Sequence, residues 1–155
     1  MSYENDGGLL KYFVPNIPVA TSTAGVVREM HIGASSTDHG EYVCVKPCVM
    51  KRAGFVLTGE AASGTSTAPT VIFTKRPTPL SATDESVIAT LTIPSGTAIG
   101  KAIYKDINVK FSVGDSVELS HTVGVGTPTG MGHAFAECAD DPEVAGNNSD
   151  LTATA

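Results

Sequence analysis

The chain has 155 residues, a formal net charge of -6 and a charged fraction of 17%. That length suits one domain burying about two-thirds of its unfolded surface. Its few, scattered basic residues argue against nucleic acid as a partner, because neutralising phosphate needs clustered cations. No apolar run approaches the roughly 20 residues of a membrane-spanning helix, so a membrane is not an expected partner either. The opening MSYENDGGLL has two acids and no basic leader region, which points to synthesis in the cytoplasm without a cleaved signal.

Residues 1–24 form the first unit. Leu9, Leu10, Tyr12, Phe13, Val14, Ile17 and Val19 gather around Pro15 and Pro18, and two prolines three apart forbid a helix and favour an extended path. An apolar segment of this kind must lie against something. Two destinations are open: the domain's own sheet, as a first edge strand, or a neighbouring molecule gripped by an extended arm.

Residues 25–138 read as strands and turns. Val26 to Ile32 is a short apolar-polar run, Gly33 to Glu41 a polar turn, and Tyr42 to Val45 a β-prone run stopped by Pro47. Val49 to Leu57 follows as a strand, whereas Glu60 to Pro69 is rich in small residues, has no apolar anchor and reads as an exposed loop. Val71 to Phe73 is a strand, Lys75 to Ser86 an extended connection, and Ser86 to Ile93 a strand with Val87, Ala89, Leu91 and Ile93 on one side. Ala98 to Lys105 reads as a further strand in this context.

The cleanest periodicity lies in Lys105 to Val123. Ile107, Val109, Phe111 and Val113 recur at every second position, Gly114-Asp115 interrupts them, and Val117 and Leu119 resume the alternation. This predicts a strand, a tight turn and a second strand, a central hairpin whose six apolar residues line the core. Gly124 to Gly132 reads as a glycine-rich loop and His133 to Cys138 as the last strand, with either Ala134, Ala136 and Cys138 or Phe135 and its neighbours inward. Residues 139–155 read as an acidic flexible tail. The fold class is therefore all-β: a single antiparallel β-sandwich, jelly-roll-like, with an extended N-terminal arm.

Reactive chemistry is hard to assemble from these residues. Cys44 and Cys48 are separated by three residues including Pro47, where most zinc knuckles use two. Met131, His133 and Cys138 are blue-copper ligand types, but they occur in reverse order and no His or Met follows the cysteine. There is no Gly-x-Ser-x-Gly elbow, and His31, His39, His121 and His133 have no carboxylate partner evident in sequence. The expectation is a protein that is not an enzyme, with no metal or cofactor and three free buried thiols.

The segments FVLTGEAASGTSTAPTVIFTKRPT, IATLTIPSGTAIGKAIYKDINVKFSVGDSVELSHT and GHAFAECADDPEVAGNN resemble the small β-sandwich virion proteins of tailed bacteriophages, the head-decoration or cement class. The resemblance implies a structural protein, often a homotrimer, that binds the major capsid protein on the outer surface of the head. The alternative is a carbohydrate- or receptor-binding module of a tail fibre, with Glu60 to Pro69 and Gly124 to Gly132 as its rim. Under the first reading Leu9 to Val19 grips the partner, and removing residues 1–20 leaves a folded domain that no longer binds capsids.

Overall fold

The computed structural model describes residues 12–15, 30–31, 38–77, 84–122 and 125–141. Their strands in chain order are β1 (Phe13–Pro15), β2 (Met30–His31), β3 (Asp38–Cys44), β4 (Cys48–Thr67), β5 (Thr70–Arg76), β6 (Ser86–Thr92), β7 (Ala102–Phe111), β8 (Ser116–Thr122) and β9 (Val125–Asp140). They form two antiparallel sheets, β1-β3-β8-β5-β6 and β2-β9-β4-β7. These pack face to face as the expected sandwich.

Among these strands, only β5 and β6 are neighbours both in sequence and within a sheet. Every other connection crosses from one sheet to the other. The predicted hairpin over Lys105 to Val123 is therefore corrected: β7 pairs with β4, and β8 lies between β3 and β5 in the opposite sheet.

The turn between them supplies the physical reason. Asp115 N–H donates to Ser112 O at 3.1 Å, and Gly114, at the third turn position, has φ +94°. Positive φ at that position alone is the type II pattern, which does not match the twist of paired strands as the primed hairpin turns do. Asp115 Oδ2 also accepts from Ser112 N–H at 2.9 Å. The chain leaves this turn for the other sheet.

Core placement follows from the crossing. Phe111, Val117 and Leu119 are buried, and Ile107 and Val109 are half-buried against the core. Val113 is 53% exposed, which corrects its expected core position, because it occupies the outer shoulder of the crossover. Val87 is likewise exposed while Ala89, Leu91 and Ile93 are buried. β6 carries one extra residue where Phe73 pairs with Ala89 and Thr74 with Val87, and such a bulge reverses the facing of what lies beyond it.

Both segments expected as loops are strands. Glu60 to Thr67 belongs to β4 and Val125 to Gly132 to β9, and they pair with each other from Glu60↔Met131 to Thr67↔Val125 through repeated register shifts. Small residues permit this close pairing: a Cβ on Gly132 would stand 2.0 Å from Val56 O. Across Gly54 lies the Phe135 ring, its Cζ 2.1 Å from where a Cβ would be. Strand β3 also begins earlier than expected, at Asp38 rather than after Glu41. Ala98 to Lys101 is a turn closed by Lys101 N–H to Ala98 O at 3.1 Å, so strand begins only at Ala102 within the run read as strand.

The N-terminal segment takes the edge-strand destination where it is described. Phe13, Val14 and Pro15 pair with Cys44, Val43 and Tyr42, and Tyr12 and Phe13 are buried in the domain's own core. The Phe13 ring meets Phe111 edge-on across the sheets, with centroids 5.1 Å apart. At the other terminus β9 runs to Asp140, and Asp141 is buried, so the first residues expected in the tail belong to the sandwich. Residues 142–155 lie outside the described residues.

Replacing Phe111 with Ala is expected to cost about 3–5 kcal/mol of stability. Val113→Ala should stay within about 0.5 kcal/mol of wild type. Urea unfolding of the two variants measures the contrast, and equal losses would contradict the crossing.

Candidate interaction surface

The end of the sandwich where β3 passes to β4 and β7 passes to β8 is tied together by backbone. Cys44 N–H donates to Asp115 O at 2.7 Å, and Gly114 N–H donates to Cys44 O at 2.9 Å. Tyr12 O accepts from Val45 N–H at 2.7 Å. Side chains add two clasps. Tyr12 Oη donates to Asp140 Oδ1 at 3.0 Å, and Lys46 Nζ reaches the same oxygen at 2.8 Å, joining β1 in one sheet to the end of β9 in the other. Lys75 Nζ donates to Lys110 O at 2.6 Å and lies 3.3 Å from Asp115 Oδ2.

Burial beside the Asp140 carboxylate pushes the Tyr12 phenol up to about 12, desolvation contributing most and the hydrogen bond next. The phenol is therefore a persistent donor and a poor acid. Burial also raises Tyr42.

The three cysteines converge in the core at this end. Cys48 lies beside Cys44 and Cys138 and shares one hydrogen bond with each. Cys44 Sγ also donates to Lys46 O at 3.0 Å. The bond to Cys48, followed by burial, raises the Cys44 thiol strongly. The bond to Cys138, opposed by that to Cys44 and aided by burial, pushes Cys48 up to about 12. Thiols held protonated are weak nucleophiles and weak metal ligands. Cys138 joining this pair was not legible in sequence, since 90 residues separate it from Cys48 and only the β4–β9 pairing brings them together.

The copper-type residues are placed apart. His133 stands opposite Val56, while Cys138 is buried opposite Met50; an odd spacing along one strand puts them on opposite faces. Among the described residues no group of three His, Cys, Asp or Glu is arranged to hold a metal ion.

Two charged arrays decorate the outer faces. On the five-stranded sheet Arg76 lies 2.7 Å from Glu85, 2.7 Å from Glu118 and 3.6 Å from Glu41, with its Nε off the hydrogen-bonding axis to Glu85. On the four-stranded sheet Arg52 lies 2.7 Å from Asp106 and 3.4 Å from Glu137, with its guanidinium 4.1 Å from the Tyr104 ring centroid. The Arg52 pairs, whose carboxylates are exposed, contribute little stability but fix side-chain positions, whereas the Arg76 array is largely buried.

Among the described residues, the exposed large apolar side chains fall into two groups. Val45 and Val113 occupy the two tied crossovers. Val87, Ile99 and Tyr104 lie on β6, on β7 and on the connection between them. Of the expected arm residues, Tyr12 and Phe13 are core and unavailable to a partner, a correction to the gripping-arm reading at those two positions. Val14 pairs through its backbone with Val43. Leu9, Leu10, Ile17 and Val19 lie outside the described residues.

No family model matches the chain, and no curated protein or solved structure matches it.

Two measurements test this end of the molecule. Native protein at pH 8 should leave a disulfide reagent almost unconsumed over an hour and yield three thiols only in denaturant; rapid native modification would show the cluster to be open. Because the Tyr12 pKa is higher folded than unfolded, its contribution is complete below pH 10 and declines between pH 10 and about 12. Tyr12→Phe should flatten that alkaline decline and cost about 1 kcal/mol at neutral pH, read by thermal melts across the range.

Proposed function

We propose that the chain is a structural component of a phage virion, a decoration or cement protein that binds the major capsid protein on the outer surface of the head. Seated on the head it acts as a homotrimer, by contact and without catalysis. Besides the sequence resemblance, the observation that carries this reading is the pair Val45 and Val113, exposed apolar side chains on crossovers held by direct backbone hydrogen bonds. Apolar groups on preorganised backbone lose little entropy on docking, which suits a subunit held by its neighbours. The apolar Leu9 and Leu10 lead into Tyr12, whose carbonyl is bonded to this same corner. Segment and corner together form the proposed capsid-binding end.

One observation favours the fibre-module reading: Tyr104, an exposed aromatic flanking Gly54 on the side opposite Phe135. An accessible ring can stack on a sugar. The rim loops expected for that role are paired strands instead.

Cosedimentation with heads assembled from the major capsid protein of the same genome tests the proposal. Removing residues 1–20 is unsuitable, because it deletes buried Tyr12 and Phe13; removing residues 1–11 preserves them. Both this truncation and the double variant Val45→Asp/Val113→Asp should reduce head binding at least about tenfold with melting unchanged. Undiminished binding by both, or glycan binding lost on Tyr104→Ala, would overturn the cement reading.

A further inference from the structure

The two sheets end in four edge strands among the described residues, and they are unequally protected. β1 has three residues and ends in Pro15, and β2 has two. β7 is long, but Lys105 occupies the position opposite core residue Ala53 and is itself exposed. Between Val109 and Asp106 β7 carries an extra residue against β4, and Lys110 follows. An inward-position charge, a bulge and lysines are the features that keep edge strands from pairing with other chains.

β6 has no such guard over its regular run. Ser86 to Thr92 contains no charge and no proline, and its bulge lies at the Val87 end, leaving Ala89 to Thr92 in unbroken register with Phe73 to Thr70. Ile93 N–H donates to Pro69 O at 3.0 Å. Antiparallel pairs alternate between bonded and non-bonded, so residues 89, 91 and 93 turn their backbone groups toward β5. Thr90 and Thr92 turn theirs to the open edge.

We infer that β6 is a self-association edge, and that its occupant is β6 of a second copy of this chain, antiparallel about a two-fold axis near Leu91. In that register Thr90 of each copy faces Thr92 of the other, and the two outward residues exchange N–H···O bonds, four in all. The threonine side chains meet on the outer face, an arrangement the sheet already contains between Thr70 and Thr122, whose hydroxyls are 2.6 Å apart. Neutrality selects a second copy: an isologous contact sets each residue near its own kind, which costs nothing for Thr, Ala and Leu and would set cation near cation for β7. The product is one continuous ten-stranded sheet, 5 + 5, and the inference stands apart from any role on a capsid.

Sedimentation velocity of the full chain over a wide concentration range tests it, with Thr90→Pro and Thr92→Lys. Proline removes an edge-facing N–H that β5 does not use, a placement edge strands tolerate; lysine adds only the missing guard. Wild type should shift from monomer toward twice its mass with concentration. Both variants should weaken that association at least about tenfold while melting as wild type does, and Thr92→Lys alone carries the test if the proline variant fails to fold. A wild type monomeric at every concentration, or a dimer or trimer that survives the substitutions, would overturn the inference.

Discussion

The hydrogen bonds between Cys44 and the Gly114–Asp115 turn hold the rest of the structure in place. Through them the passage from β3 to β4 and that from β7 to β8 become one rigid corner. Two strands of each sheet leave from that corner, so the spacing of the sheets is set there. Phe13 and Phe111 then meet edge-on across the gap. Burying such rings contributes roughly 2–3 kcal/mol each, but only because the backbone of the corner is satisfied without water.

Polar groups near this corner act as clasps. Tyr12 and Lys46 converge on Asp140, and Lys75 bridges Lys110 and Asp115. Each joins one sheet to the other. The thiol cluster lies in the same region and is held in its protonated form by mutual hydrogen bonds and burial. A corner with this many internal partners presents Val45 and Val113 on fixed backbone, as expected of a contact surface rather than a reaction centre. The β6 and β7 edges differ in kind from each other, one neutral and one guarded by lysines.

Much of the candidate surface was hidden from sequence for identifiable reasons. Val113 continues the apolar alternation of Ile107, Val109 and Phe111, and periodicity alone cannot tell a core position from the shoulder of a turn. Val87 obeys the same alternation, yet one extra residue in β6 puts it in solvent. Glu60 to Thr67 has no large apolar residue and Val125 to Gly132 only Val125 and Met131, too few to mark strands, and each segment is ordered by the other. Their small side chains, read locally as a sign of loops, allow the close approach at Gly132.

The sequence by itself determined the class of structure: short β-prone runs, turn residues at regular spacing and alternating apolar residues admit a two-sheet antiparallel sandwich. It also determined part of the core, since Phe111, Val117, Leu119, Ala89 and Leu91 are buried as their alternation requires, whereas the burial of Ala136 and Cys138 selects one of the two faces that alternation allowed. Tertiary structure alone decided which strands are neighbours. Strand pairing is a long-range choice made by register and turn geometry together, and one glycine at positive φ sent β8 to the opposite sheet from β7. That choice also decided what the surface offers: a tied corner with two exposed valines, a guarded edge and an unguarded one.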